Sequence, residues 1–296
     1  MQAMRKWVQW LWLFLTNGYL IFPWTKTLYQ GPLKVICSPG LNCYSCPAAT
    51  SYCLLGGLQQ LLVSARFTLQ TGGYYVGMYV VGSMGLLGAA LGRFICGWAC
   101  PFGLLQELLY TIPAPKFSLP PQLRWGKYFF LLFFVVLLPL VAIDSTGVGH
   151  PWFCKYVCPA GTLEAGLPMI AIMPELRAIL GWLFAGKLSL AVAYVGWSIT
   201  TSRPFCRTSC PLGAFYGLFN RYSLIKLQFH PQNCTGCGAC HTVCPVAIRF
   251  NETPNSRECI NCLKCMNEAC NFNAISLDVA GYPWHPRPKT LPTRRH

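Results

Sequence analysis

The sequence predicts an all-α membrane domain of four transmembrane helices in two similar halves, with interfacial helices, followed by a small α+β domain rich in cysteine. Three observations predict it. The 296 residues are 54% hydrophobic and only 10% charged, whereas a soluble domain carries about 25% charged residues. Four long apolar runs divide the first three quarters of the chain. Eighteen cysteines fall in pairs and triplets rather than singly. The domains expected are 1–226 in the membrane, 227–280 as the cysteine-rich domain, and 281–296 as a basic, Pro-rich tail.

A membrane-crossing helix needs about 20 mostly apolar residues, and residues 7–24, 74–95, 127–143 and 178–201 qualify. The first run follows Arg5 and Lys6 and has no small-residue cleavage site, so it reads as a retained span rather than a signal peptide. Lys187 lies inside the fourth run and reads as a side chain that snorkels to the interface. Asp144 marks the water boundary of the third. Short-loop cations set orientation. Arg5, Lys6, Arg93, Lys116, Arg124, Lys127, Arg203 and Arg207 on one side outnumber Lys26, Lys34, Arg66, Lys155 and Arg177 on the other. The richer side is cytoplasmic. Four spans then place both termini in the cytoplasm, with the chain multi-pass in the cytoplasmic membrane.

The C-terminal cysteines carry the strongest signal. Cys234, Cys237, Cys240 and Cys244, followed by Pro245, form C-x2-C-x2-C-x3-C-P. Cys259, Cys262, Cys265 and Cys270 repeat it with four residues before the last cysteine and Asn271 in the proline's place. The first run is the bacterial two-cluster ferredoxin pattern, in which the fourth cysteine of each run ligates the other cluster. One [4Fe–4S] cluster then takes Cys234, Cys237, Cys240 and Cys270, and the other Cys259, Cys262, Cys265 and Cys244. The alternative is zinc, which C-x2-C also suits; two consecutive triplets favour clusters. Residues 247–250 and 274–277 are expected as strands. His241 reads as a surface residue.

The other ten cysteines form a repeat. Cys96 and Cys100-Pro101 follow the second run, Cys154 and Cys158-Pro159 the third, and Cys206 and Cys210-Pro211 the fourth. Cys43 and Cys46-Pro47, one residue closer together, follow the first. Each pair precedes an apolar, Gly-containing stretch: 48–63, 102–112, 160–173 and 212–222. The pairs recur at separations of 112 (Cys46 to Cys158) and 110 (Cys100 to Cys210), which divides the domain into two parallel halves. The expected topology puts Cys96, Cys100, Cys206 and Cys210 at the inner face and Cys43, Cys46, Cys154 and Cys158 at the outer face. Each set has the ligand count of one cubane, so two more [4Fe–4S] clusters are expected, one near each face. The proline after each pair starts a helix whose free amides lie near the sulfurs. Disulfides are the alternative, above all on the outer face. Cys37 and Cys53 are left over; they pair as a disulfide, bind a metal, or replace one of the outer ligands.

Cys96, Cys100-Pro101, Cys206, Cys210-Pro211 and the two C-terminal runs together resemble NapH, the membrane quinol dehydrogenase subunit of periplasmic nitrate reductase systems; the polyferredoxin part of NosR is similar. The resemblance covers nearly the whole chain. It implies electron exchange with the quinone pool, menaquinone included, and with redox partners. The outer pairs are additional to that pattern and suggest that electrons also pass at the outer face. Three functions follow as expectations. The first is a relay between a cytoplasmic ferredoxin or oxidoreductase and an extracytoplasmic redox protein, as a subunit of a larger membrane complex. The second is a menaquinol dehydrogenase subunit, and the third an anchor with a ferredoxin relay alone. The formal charge of +15 includes the tail cations Arg287, Lys289, Arg294 and Arg295, suited to an acidic partner or anionic lipid. Nucleic-acid motifs, a dinucleotide fingerprint and a P-loop are absent. None of the four runs holds a His for a bis-His haem, and His150 reads as a loop residue. No catalytic acid, base or nucleophile is expected.

Overall fold

The computed structural model describes residues 2–64, 75–144 and 149–284. Arg66, Tyr74 and the tail cations lie outside the described residues. The N-terminal part is helical: α1 (Gln2–Thr16), α2 (Leu54–Val63), α3 (Tyr75–Leu91), α4 (Pro101–Tyr110), α5 (Pro121–Val141), α6 (Gly161–Ile172), α7 (Trp182–Thr200) and α8 (Pro211–Phe219). Within α5 the stretch Phe130–Leu137 is wound as a π-helix, just ahead of Pro139, which has no amide to donate. α2 packs on α3, α4 on α7, and α8 on α5.

Two helices, α5 with 21 residues and α7 with 19, are long and apolar enough to cross a membrane. The other two expected spans are helical but shorter. The run 7–24 stays helical only to Thr16. There Thr50 N–H takes the Thr16 carbonyl at 3.0 Å and Asn42 Nδ2 donates to it at 3.3 Å, so the helix is capped by a loop. The run 74–95 is helical over the 17 residues of α3 and stops at Gly92, whose φ of +52° is the left-handed value that glycine supplies at a helix end. The described residues therefore hold two full-length apolar helices, not four.

The outer surface of this bundle is apolar, and several charged side chains are buried inside it beside an apolar core. On α1, Trp7, Leu11, Phe14 and Leu15 are exposed while Arg5 and Gln9 are each 1% exposed. Trp182, Val192, Leu132, Val141 and Leu86 are likewise exposed on the other helices. Water favours the opposite arrangement.

The C-terminal domain is built on an antiparallel sheet of β3 (Ile225–Phe229), β4 (Ile275–Val279) and β5 (Tyr282–Trp284), with Leu227 opposite Leu277. β1 (Cys37–Ser38) and β2 (Tyr52–Cys53) form a separate short parallel pair. The strand expected over 247–250 is not formed. Ala247 takes a left-handed φ of +49°, and the segment is instead an irregular strap that buries Val246, Ile248 and Phe250. Its place beside β4 is taken by β3, which begins at Ile225, within the stretch assigned to the membrane domain.

Candidate iron–sulfur sites

The C-terminal cysteines gather in two clefts. Cys234, Cys237, Cys240 and Cys270 line one. Cys244, Cys259, Cys262 and Cys265 line the other, with Cys240 at its edge. Cys237 is exposed and Cys259 and Cys262 are buried, so one cleft opens to solvent and the other faces the membrane domain. Burial pushes the Cys259 thiol up to about 12; ligation by its thiolate therefore displaces a proton.

The second motif is seated directly on the membrane cysteines. Trp98 Nε1 donates to the Asn261 carbonyl at 3.0 Å, and Asn220 Nδ2 to the carbonyls of Ser256 and Cys259 at 2.8 and 3.0 Å. Gln2 Nε2 reaches the Cys262 carbonyl at 3.1 Å. Between Cys96 and Trp98 only glycine fits: a Cβ on Gly97 would lie 2.3 Å from the Ile260 carbonyl oxygen. Gly97→Ala is expected to cost about 1–3 kcal/mol of overpacking, read as a lower Tm with the iron content of the folded protein unchanged.

The inner set converges. Cys96, Cys100, Cys206 and Cys210 are all buried and lie within mutual electrostatic reach. Cys100 caps α4 and Cys210 caps α8, and Cys210 Sγ accepts from Gly213 N–H at 3.3 Å. The outer set differs from the expectation. A cavity of about 520 Å³ is lined by Cys43, Cys53, Cys154 and Cys158, with Lys187 and the apolar Leu28, Met169 and Leu176. Cys46 is not on its wall. Its thiol packs in a small apolar group with Ala48, Ala49 and Phe22, against which Cys43 also packs. All eighteen cysteines are free. Among the described residues no three His, Cys, Asp or Glu side chains are placed to share a single metal ion, as a mononuclear zinc site requires.

The inner and outer cysteine sets are neighbours. A Cβ on Gly40 would lie 2.8 Å from Cys100 Cα. The Leu41 amide points at the Cys100 sulfur, the next amide, Asn42, at the Cys53 sulfur, and Cys43 enters the outer cavity. Two hydrogen bonds and one residue of backbone put these sulfurs on the order of 10 Å apart, against about 30 Å for a hydrocarbon core. Tyr216, fully buried, fills the space between them and anchors this strand by donating to the Pro39 carbonyl at 3.1 Å.

Comparison with known proteins agrees with this chemistry. The 4Fe-4S binding domain family matches residues 74–120 and 128–167, and the 4Fe-4S dicluster domain family matches 203–248. An uncharacterized protein of Methanocaldococcus jannaschii, MJ0750, is 31% identical over 64% of this chain and 74% of its own length. YccM of Escherichia coli K12, described as a candidate electron transport protein, is 24% identical over 71% of this chain and 58% of its own length. The regulatory protein NosR of Stutzerimonas stutzeri is 28% identical over 60% of this chain, which spans only 23% of it. The chain belongs to the NapH/NosR-like polyferredoxin family. No solved structure matches it.

Charge in this polyferredoxin fits clusters at the inner site. Arg5, Arg93, Lys127, Arg203 and Arg207 are each at most 2% exposed, and the carboxylates paired with them are Glu107 and Glu258. Among the described residues, Arg93 Nε and both Nε and Nη2 of Arg207 have no hydrogen-bond partner. Buried cations in excess need anions, and thiolate-ligated cubanes are net negative. Arg93 and Arg203 stand three residues before Cys96 and Cys206 and donate to the Cys206 and Cys96 carbonyls at 3.5 and 2.6 Å. By sequence position alone they read as loop charges. The repeated R-x2-C spacing was the available signal for their role. Lys187 does not snorkel: its Nζ donates to the Cys154 carbonyl at 3.1 Å. His150 meets Asp144 at 2.8 Å.

Proposed function

We propose that this iron–sulfur electron transport protein is a multi-pass membrane relay, carrying electrons between a cytoplasmic donor and the extracytoplasmic side. The supporting observation is the unbroken succession of cysteine groups. The exposed Cys237 cleft leads to the buried Cys259 cleft, that motif rests on Cys96 to Cys100, and the strand from Gly40 to Cys43 joins Cys100 to the outer cavity. Bound [4Fe–4S] clusters supply one-electron storage; the chain spaces them, shields them from water and balances their charge. The apolar outside and the buried charges support the membrane reading, with the C-terminal domain cytoplasmic. A ferredoxin or oxidoreductase suits the exposed cleft, an extracytoplasmic redox protein the far end, and other subunits the complex around them.

The test uses the holoprotein in liposomes, with a reductant outside and an acceptor trapped within. Transfer is expected in the wild type, and Cys154→Ala should abolish it. Absence of transfer, or transfer that Cys154→Ala leaves intact, removes the proposal. One observation favours a second reading. The outer cavity extends past the sulfurs to Leu28, Met169 and Leu176, an apolar annex suited to a menaquinone ring. Menaquinol added to oxidised protein should then bleach the cluster absorbance; no change removes that reading.

A further inference from the structure

We infer that the outer membrane site is a [4Fe–4S] site made by Cys43, Cys53, Cys154 and Cys158, with Gln59 as a positioning residue on the Cys154 sulfur and with Cys46 and Cys37 outside it. The inference deepens the relay reading by naming its outer ligands.

A repeat finer than the cysteine pairs carries it. Four times a cysteine is followed at three residues by glycine and at six by a polar side chain: Cys53-Gly56-Gln59, Cys100-Gly103-Gln106, Cys158-Gly161-Glu164 and Cys210-Gly213-Tyr216. In all four the glycine amide points at the cysteine sulfur. In all four a helix begins just past the cysteine. The sixth residue then reaches across to the other half of the molecule. Gln106 Nε2 donates to Cys206 Sγ at 3.0 Å, and its Oε1 accepts from Phe205 N–H at 3.2 Å. Gln59 Nε2 donates to Cys154 Sγ at 3.0 Å, and its Oε1 accepts from Phe153 N–H at 3.1 Å. The clamp is the same at both sites. Cys53 therefore stands to Cys154 as Cys100 stands to Cys206.

Cys46-Pro47 shares the third-residue amide on the sulfur, here from Ala49, but has neither the motif's glycine nor its helix. No helix follows Pro47; α2 starts at Leu54. The residue three after Cys46 is Ala49, whose carbonyl is held by Lys34 Nζ at 3.1 Å. The residue four before Cys53 is also Ala49, so the upstream ligand that Cys96 provides at the inner site has to come from elsewhere. The Gly40 to Cys43 strand delivers it. Glu164, the sixth residue after Cys158, accepts from Cys43 N–H at 2.6 Å. Around Gly161 the space that a Cβ would take is bordered by Cys43 Sγ at 3.7 Å and Lys187 Nζ at 3.9 Å. At the matching Gly213 it is bordered by Arg93 Nη2 at 3.4 Å. Both sites thus keep a cation against the sulfurs, where the negative charge of a cubane would sit.

The experiment is iron and sulfide analysis with EPR of the reduced, full-length holoprotein. Four cubanes give about sixteen irons per chain. Cys53→Ala and Cys154→Ala should each lower this to about twelve and remove the same EPR component, while Cys46→Ala and Cys37→Ala keep it. Gln59→Leu retains every sulfur. Loss of a hydrogen bond to a ligand sulfur lowers a cluster's potential, so this variant should shift that component alone to a more negative midpoint, and Gln106→Leu should shift the inner one. Loss of the component in Cys46→Ala but not in Cys53→Ala overturns the assignment. So does a wild type with about twelve irons that none of the outer variants changes, or a Gln59→Leu titration identical to wild type. A full iron count with no transmembrane transfer would instead remove the relay and leave this site standing.

Discussion

Glu258→Gln is expected to lower stability by about 3 kcal/mol and to loosen the C-terminal domain from the membrane helices. Glu258 lies one residue before Cys259 and is the only carboxylate that Arg93 and Lys127 meet among the described residues. Arg93 Nη1 reaches it at 3.3 Å, and Lys127 Nζ donates to its other oxygen. Both cations have side chains 0% exposed. Glutamine keeps the shape and an acceptor but removes the charge, which leaves two buried cations uncompensated, the costly half of breaking a buried pair. Arg93 also borders Cys206, Cys96 and Cys210. Freed of its counterion, it should move the inner cluster's midpoint to a more positive value. The measurements are the Tm and a redox titration followed by EPR. Glu252→Gln is the control: Glu252 and its partner Arg249 are both more than half exposed, and a surface pair is worth under about 1 kcal/mol. Equal effects from the two variants would refute the docking role of Glu258.

The two C-terminal clefts were legible in the sequence because their geometry is local. In C-x2-C-x2-C one short loop carries three sulfurs to one place, and the sheet of β3 and β4 has only to close around it. The inner membrane set was legible for a related reason: Cys96 with Cys100 and Cys206 with Cys210 carry the same spacing, the same proline and the same helix after it. For the outer set, proline after the cysteine selects Cys46 and leaves Cys53 as an alternative ligand, whereas the helix start selects Cys53. Cys46-Pro47 has the proline but not the helix; Cys53 has the helix without the proline. Glycine at the third residue and a polar group at the sixth are shared by Cys53, Cys100, Cys158 and Cys210, and the polar group reaches the opposite half.

Charge was harder to read. Arg5, Arg93, Lys127, Arg203 and Arg207 were visible as a cluster on one side of the membrane pattern, and the positive-inside rule accounted for them without any partner. Their burial depends on contacts across some 90 to 165 positions of chain, such as Arg5 with Gly97 and Arg93 with Glu258, which no local pattern reports. The first apolar run hides the same fact. Read by composition it is a span. Read on the structure it is a helix with Trp7 and Trp10 outside and Arg5 and Gln9 turned inward to the Gly97 carbonyl at 3.0 Å each.

The second large effect is expected at the far end of that arginine network, in Glu107→Gln. Glu107 sits on α4 seven residues after Cys100 and joins three segments that are remote in sequence. Arg5 Nη2 meets its Oε2 at 2.8 Å, and Arg203 meets its Oε1 at 3.0 Å. Burial alone would push this carboxyl up, but Arg203 and Arg5 hold it down to about 2, against an ordinary 4.5. The depressed value fixes the sign of its pH dependence. The stabilisation is complete above the ordinary value and disappears as the pH falls from about 4.5 towards 2; a shift of that size corresponds to about 3 kcal/mol. At pH 7 Glu107→Gln should therefore lower stability by about 3–5 kcal/mol, because two buried guanidinium groups lose their shared counterion. The gap between variant and wild type should narrow as the solution is acidified into that window, where the wild-type carboxyl also becomes neutral. Paired Tm measurements at pH 7 and near pH 3 decide it. A gap that does not change with pH would mean that Glu107 acts by shape and not by charge. Because Arg203 also donates to the Cys96 carbonyl, the same variant should broaden the inner EPR component, whereas a residue that served only to hold α1 in place would leave that signal unaltered.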